Sequence, residues 1–97
     1  MTYAVTFDLE VSQLETHYRN ASYTNAWNDI QKFLTQNGFK WIQKSVYFGD
    51  ETITAVKCVV VMQKLSKQYP WFPLSVKDVR MLKIEENNDL MPAIEDF

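Results

Sequence analysis

Apolar and polar residues alternate from Tyr3 to Leu9, with Val5, Phe7 and Leu9 on one face and Ala4, Thr6 and Asp8 on the other. That is the period of a sheet strand. Glu10 to Asn20 is polar and lacks a clear period, so it reads as a loop. Ser22 can cap a helix whose apolar positions Tyr23, Ala26, Trp27, Ile30, Phe33 and Leu34 recur at helical spacing. Asn37-Gly38 stops this helix, Gly38 being suited to the left-handed backbone after a helix end. Phe39 to Phe48, rich in aromatic and β-branched residues, fits one bent strand or two short ones meeting near Lys44-Ser45.

From Thr52 to Tyr69 the positions Ala55, Cys58, Val59, Met62, Leu65 and Tyr69 suggest a second long helix. Val59-Val60-Val61 would also suit a strand. The good helix formers from Gln63 to Gln68 and the length of the segment decide for a helix. Pro70 and Pro73 bracket Trp71-Phe72 in a rigid loop, and Ser75 to Glu85 carries Val76, Val79, Met81, Leu82 and Ile84 as a further strand. Asn88 to Phe97 reads as a short capped helix. The order strand, helix, one or two strands, helix, strand is the split βαβ pattern. It predicts an α+β, ferredoxin-like fold, an antiparallel sheet with two helices on one face, as a single domain over residues 1–97.

Composition agrees. Ninety-seven residues that are 46% hydrophobic and 23% charged describe one folded domain with a shared core. Three Trp, five Tyr and six Phe supply core or interface area, which makes a dimer surface plausible. Cys58 is the sole cysteine and His17 the sole histidine, so one chain forms no internal disulfide and no Cys/His zinc site. Met1 leads straight into strand-like sequence with no signal region, and the longest apolar run, Cys58 to Met62, is far short of a membrane span. The expectation is a cytoplasmic protein with no membrane contact. Ten basic against twelve acidic residues leave a net charge of −2, which gives no global attraction for nucleic acid. An enzyme that holds nucleic acid briefly needs only a local basic patch.

Chain direction locates the candidate chemistry. In a split βαβ sheet the last strand runs antiparallel along the first, so the end of the first strand, Asp8, should meet the start of the last, at Asp78 and Arg80. Two carboxylates and a guanidinium could bind a divalent ion such as Mg²⁺, hold a phosphate through Arg80, or keep one carboxyl protonated by mutual repulsion. The plainer arrangement is a cross-strand ion pair beside an exposed Asp. His17 and Arg19, on the following loop, could reach the same end of the sheet, the imidazole to exchange a proton and Arg19 to meet a phosphate. Both are equally at home in solvent. Ser45, at the strand bend, could donate a hydrogen bond to substrate or simply satisfy its turn. Trp71 and Phe72 could stack bases, but Pro-bracketed aromatics more often cover a core edge or a dimer contact. Cys58 lies in an apolar helical stripe and is a core residue. With Gly38 and Gly49 as the only glycines there is no phosphate-cradling loop.

Tyr3-Ala-Val-Thr-Phe-Asp-Leu9, Gly38-Phe39, Gln43-Lys-Ser-Val-Tyr47 and Pro70-Trp-Phe-Pro-Leu-Ser-Val-Lys-Asp-Val-Arg80, closing with Lys83-Ile-Glu85, together resemble the virulence-associated protein D family. The strand Asp and the Gln-Lys-Ser-Val-Tyr segment are also similar to the small CRISPR-associated nucleases of ferredoxin-like fold. The resemblance implies a homodimeric endoribonuclease, in some members the toxin of a toxin–antitoxin pair, with the two first strands near the dimer axis. It implies RNA as substrate, a small antitoxin protein as a partner, Asp8 as the leading catalytic residue or metal ligand, Ser45 and Asp78 in support, and Arg80 as a phosphate contact. The segment from Glu10 to Ala21 matches least, so His17 and Arg19 stay separate guesses as substrate-binding residues. The rival from another class is a non-catalytic dimer that binds protein or nucleic acid.

Overall fold

The computed structural model describes residues 2–19 and 22–95 of the chain. Strand β1 (Thr2–Leu9) is followed by helices α1 (Val11–His17) and α2 (Asn25–Gln36), strands β2 (Phe39–Gln43) and β3 (Val46–Gly49), helices α3 (Ala55–Gln68) and α4 (Trp71–Ser75), strand β4 (Val76–Ile84) and helix α5 (Met91–Glu95). The four strands form one sheet in the order β2-β3-β1-β4, every neighbouring pair antiparallel. The architecture is α+β and compatible with the ferredoxin-like fold.

Alternation along β1 organises the core. Val5, Phe7 and Leu9 are buried in one cluster with Tyr47 and Phe39 from the hairpin, Ile30 and Leu34 from α2, and Cys58, Val61 and Leu65 from α3. The other sheet face carries Thr6 and Asp8, with Ala4 hidden between its cross-strand partners Phe48 and Leu82. Phe39 to Phe48 is two strands. Lys44 and Ser45 make the turn between them, and Lys44 takes a positive φ of 42°. Gly38 has φ 91°, as expected after α2. Gly49 is needed for a different reason, because a Cβ there would stand 2.7 Å from the Cβ of Ile53, the residue that plugs the approach to α3. Thr54 caps α3 by accepting from Lys57 N at 3.1 Å.

Four local expectations are corrected. The segment after β1 is not a loop throughout but contains α1, held by fully buried Leu14; Asn20 and Ala21 lie outside the described residues. Ser22 does not cap α2. Its hydroxyl accepts from Thr24 N at 3.3 Å in a preceding turn, and the helix starts at Asn25. In α3 the inward valine is Val61, whereas Val59 is 49% exposed, because Cys58, Val61 and Leu65 sit three and four residues apart and Val59 falls off that stripe. Pro70 to Pro73 does not form an irregular loop. Trp71 to Ser75 is a short helix entered from Pro70, consistent with the compatibility of proline with a helix start, and it buries both Trp71 and Phe72. The two aromatics are therefore core residues, not free base-stacking surfaces. Helix α5 confirms the tail expectation over Met91–Glu95, with Met91 N donating to Asp89 Oδ1 at 2.9 Å; residues 96 and 97 lie outside the described residues. Among the described residues no helix is long and apolar enough to cross a membrane.

Candidate active site at the end of the first strand

Asp8 pairs directly with Asp78 across β1 and β4, and Thr6 pairs with Arg80. The expected juxtaposition of two carboxylates and a guanidinium is present. Period-two alternation puts all four on the sheet face opposite the helices. The ion pairs differ from the simplest expectation. Arg80 Nε donates to Asp78, at 3.1 Å to Oδ2 and 3.3 Å to Oδ1, whereas Asp8 Oδ2 lies 3.6 Å from Lys77 Nζ.

Lys77 is the residue that sequence reasoning missed. Simple alternation would send it to the helical face. The register instead shifts between Asp8 and Leu9, from Asp8↔Asp78 to Leu9↔Val76, so Lys77 is skipped in the pairing. This bulge re-aims its ammonium toward Asp8, a use to which bulges beside active sites are often put. The run Ser-Val-Lys-Asp-Val-Arg contained the lysine but no signal for the slip.

The backbone around Asp8 is pinned from both sides. Phe7 N donates to Ser45 O at 3.2 Å, and Glu10 N donates to Ser75 O at 2.8 Å. Beneath the strand the Phe7 ring stacks on Tyr47 at 6.1 Å and meets Phe72 edge-on at 5.9 Å. Ser45 is therefore next to the strand end, brought there by the β2–β3 turn, with its carbonyl already committed to β1. Asp8 itself is open, with a side chain 62% exposed. Such exposed pairs contribute about 0–1 kcal/mol, so fold stability does not account for four charged side chains gathered at one strand end.

A divalent metal is compatible with these donors. Asp8 and Asp78 offer hard carboxylate oxygens, and Mg²⁺ is commonly bound by one or two carboxylates, with water and substrate phosphate completing its shell. Among the described residues no group of three or more His, Cys, Asp or Glu gathers.

His17 and Arg19 lie elsewhere. His17 ends α1 and Arg19 follows it, and both line a cavity of about 370 Å³ with Pro70, Trp71 and Leu74. Described contacts do not join them to Asp8. A larger apolar cavity of about 610 Å³ runs between α3 and β4 past Cys58, Met62, Phe72, Val76 and Met81. Of the charged cluster only Arg80 reaches its rim, and burial pushes the Cys58 thiol pKa up, which keeps the sulfur protonated and unreactive.

The fold and the strand-end cluster together define a small α+β protein with a charged, solvent-open surface site of two carboxylates, an ammonium and a guanidinium on an open sheet. The family model for CRISPR associated protein Cas2 matches residues 1–91. An "Endoribonuclease VapD homolog" of Helicobacter pylori is 63% identical over 92 residues, covering 95% of each chain. "Endoribonuclease VapD 2" of Riemerella anatipestifer is 55% identical over 92 residues, 95% of this chain and 98% of that one. "Endoribonuclease VapD" of Dichelobacter nodosus is 34% identical over 94 residues, 95% of this chain and 96% of that one. The chain belongs to the VapD proteins of the Cas2 family.

Proposed function

We infer that this chain is an endoribonuclease that cleaves RNA at the end of β1. The observation that carries the reading is the facing pair Asp8 and Asp78 with Lys77 and Arg80 interleaved. Relatives that share 63% and 55% of aligned residues, and that bear the name endoribonuclease, supply the polymer.

Each residue has a task. Asp8 is the leading catalytic group. It would hold a divalent cation with Asp78, a group that supplies charge neutralisation and a more acidic water, or else it would accept the proton of the ribose 2′-hydroxyl as a base. Arg80 binds Asp78 through Nε, which leaves its terminal N–H groups for a phosphate oxygen. Lys77 adds positive charge where negative charge builds on the phosphate in the transition state. Ser45 borders the strand end opposite Phe7 through its carbonyl, and the reading assigns its hydroxyl to the substrate.

Purified protein with RNA tests this reading. Asp8→Ala should lose cleavage, and equal cleavage by both proteins overturns the role of Asp8. The facing carboxylates lead us to expect that chelator abolishes cleavage and that added Mg²⁺ restores it. Chelator-resistant cleavage with cyclic-phosphate ends would assign Asp8 to the base. Tight RNA binding without cleavage, in protein freed of host nucleases, would favour the non-catalytic module.

The reading includes a homodimer. Uncovered apolar surface supports it: Leu82 is 48% exposed on the open sheet face beside Ala4 and Phe48, and β1 runs through the middle of that face. It also includes a small neutralising protein, as in a toxin–antitoxin pair, and a cytoplasmic setting in which RNA is at hand. Suppression of cleavage by the product of an adjacent small reading frame would test the first of these.

A further inference from the structure

Trp41 is the only exposed aromatic among the described residues, 45% exposed on β2, an outer strand of the sheet. Its ring packs against no other ring there. The indole N–H donates to Lys44 O at 2.8 Å, which fixes the ring through its edge and leaves a face open. Lys44 is as unusual as its neighbour. It holds a positive φ of 42°, a conformation that glycine adopts at lower cost, and its ammonium takes part in no ion pair among the described residues.

Register ties this pair to the carboxylates. Val5↔Tyr47 and Thr6↔Val46 are continued by the bond from Phe7 N to Ser45 O at 3.2 Å, so one further step brings Lys44 to the level of Asp8. Neighbouring strands lie about 5 Å apart, which keeps the turn close to the strand end. Two adjacent carbonyls, of Lys44 and Ser45, thus hold the Trp41 ring and the residue before Asp8 on one turn, a rigid mounting of the kind a binding constellation needs. Trp41 pairs with Tyr47 and stands on the helical side of the sheet, whereas Asp8 is on the open side, so a strand of RNA touching both crosses the turn at Lys44. We propose that Trp41 stacks one unpaired base of the RNA next to the cleaved bond and that Lys44 binds the phosphate between that base and Asp8. Stacking on an aromatic face tolerates any base, and a base locked in a duplex cannot reach the ring, so the pair selects single-stranded RNA without selecting its sequence. The proposal rests on the endoribonuclease reading for its polymer.

Binding of a short labelled single-stranded RNA to the full chain tests this, alongside the same RNA carrying one abasic nucleotide at each position in turn. Trp41→Leu, at wild-type secondary structure, should weaken binding by about tenfold, and Trp41→Phe only slightly. At one position the abasic RNA should lose about the same factor with wild type and nothing further with Trp41→Leu, because base and ring form one contact. Lys44→Gly removes the ammonium from a backbone that suits glycine, and should lower the slope of log affinity against log salt by about 0.7. A loss with Trp41→Leu that is the same for every abasic RNA overturns the stacking contact, as does dissociation of a dimer in Trp41→Leu with no dependence on the bases. An unchanged salt slope in Lys44→Gly overturns the phosphate contact. Base-dependent binding by wild-type protein that leaves the RNA whole sinks the endoribonuclease reading alone. Cleavage and binding that ignore Trp41→Leu sink the stacking site alone.

Discussion

Burial of Tyr47 between the Phe7 ring and the hairpin pushes its hydroxyl pKa from an ordinary 10.0 up to about 12. The folded state therefore binds that proton more tightly than the unfolded chain. The stabilisation is complete below the unfolded value and is lost as pH rises from about 10 to 12. Alkaline denaturation should show a fall in stability across that window, and Tyr47→Phe should flatten it; an unchanged profile in Tyr47→Phe would assign the fall to other groups. At this scale Asp8, Asp78 and Arg80 were legible because chain direction in an antiparallel sheet dictates who meets whom. Lys77 was not, because one skipped residue in the register reverses the face on which a side chain emerges.

Elements with long periodic patterns were readable and the short ones were not. Helices α2 and α3 carry several turns of apolar spacing, enough to outvote the β-branched valines of α3. Helix α1 has seven residues, and its only pattern is Val11, Leu14 and Tyr18, three and four residues apart, within a polar stretch. Its stability comes from docking and not from propensity, since a helix this short is marginal alone. Leu14→Ala should cost about 2–5 kcal/mol, read as a lower denaturant midpoint at unchanged slope. A change of only a few tenths would show that α1 is not anchored through Leu14. Helix α4 was obscured by its prolines, which mark loops more often than helix starts, although here they frame one turn that buries two aromatics.

For the whole molecule, the radius of gyration of 14.8 Å exceeds the value of about 12.5 Å expected for a compact domain of this length. Helix α5 has no buried residue, and Leu90, Met91 and Ile94 are 67%, 53% and 64% exposed. Leu82 is likewise exposed, on the open sheet face. On the proposed homodimer, Leu82→Glu should shift the protein toward monomer in light scattering; a stable dimer in that variant places the interface elsewhere, and a monomeric wild type overturns the dimer. If activity falls with the dimer, loss of cleavage in any β1 variant has to be separated from loss of assembly.

The most direct test of the account is cleavage by Asp8→Asn, which removes the charge while keeping the size of a side chain already in solvent, compared with wild type at matched folding and oligomeric state. The account predicts wild-type secondary structure and assembly with a fall in kcat of about a hundredfold or more. RNA cleavage by Asp8→Asn at the wild-type rate would contradict it.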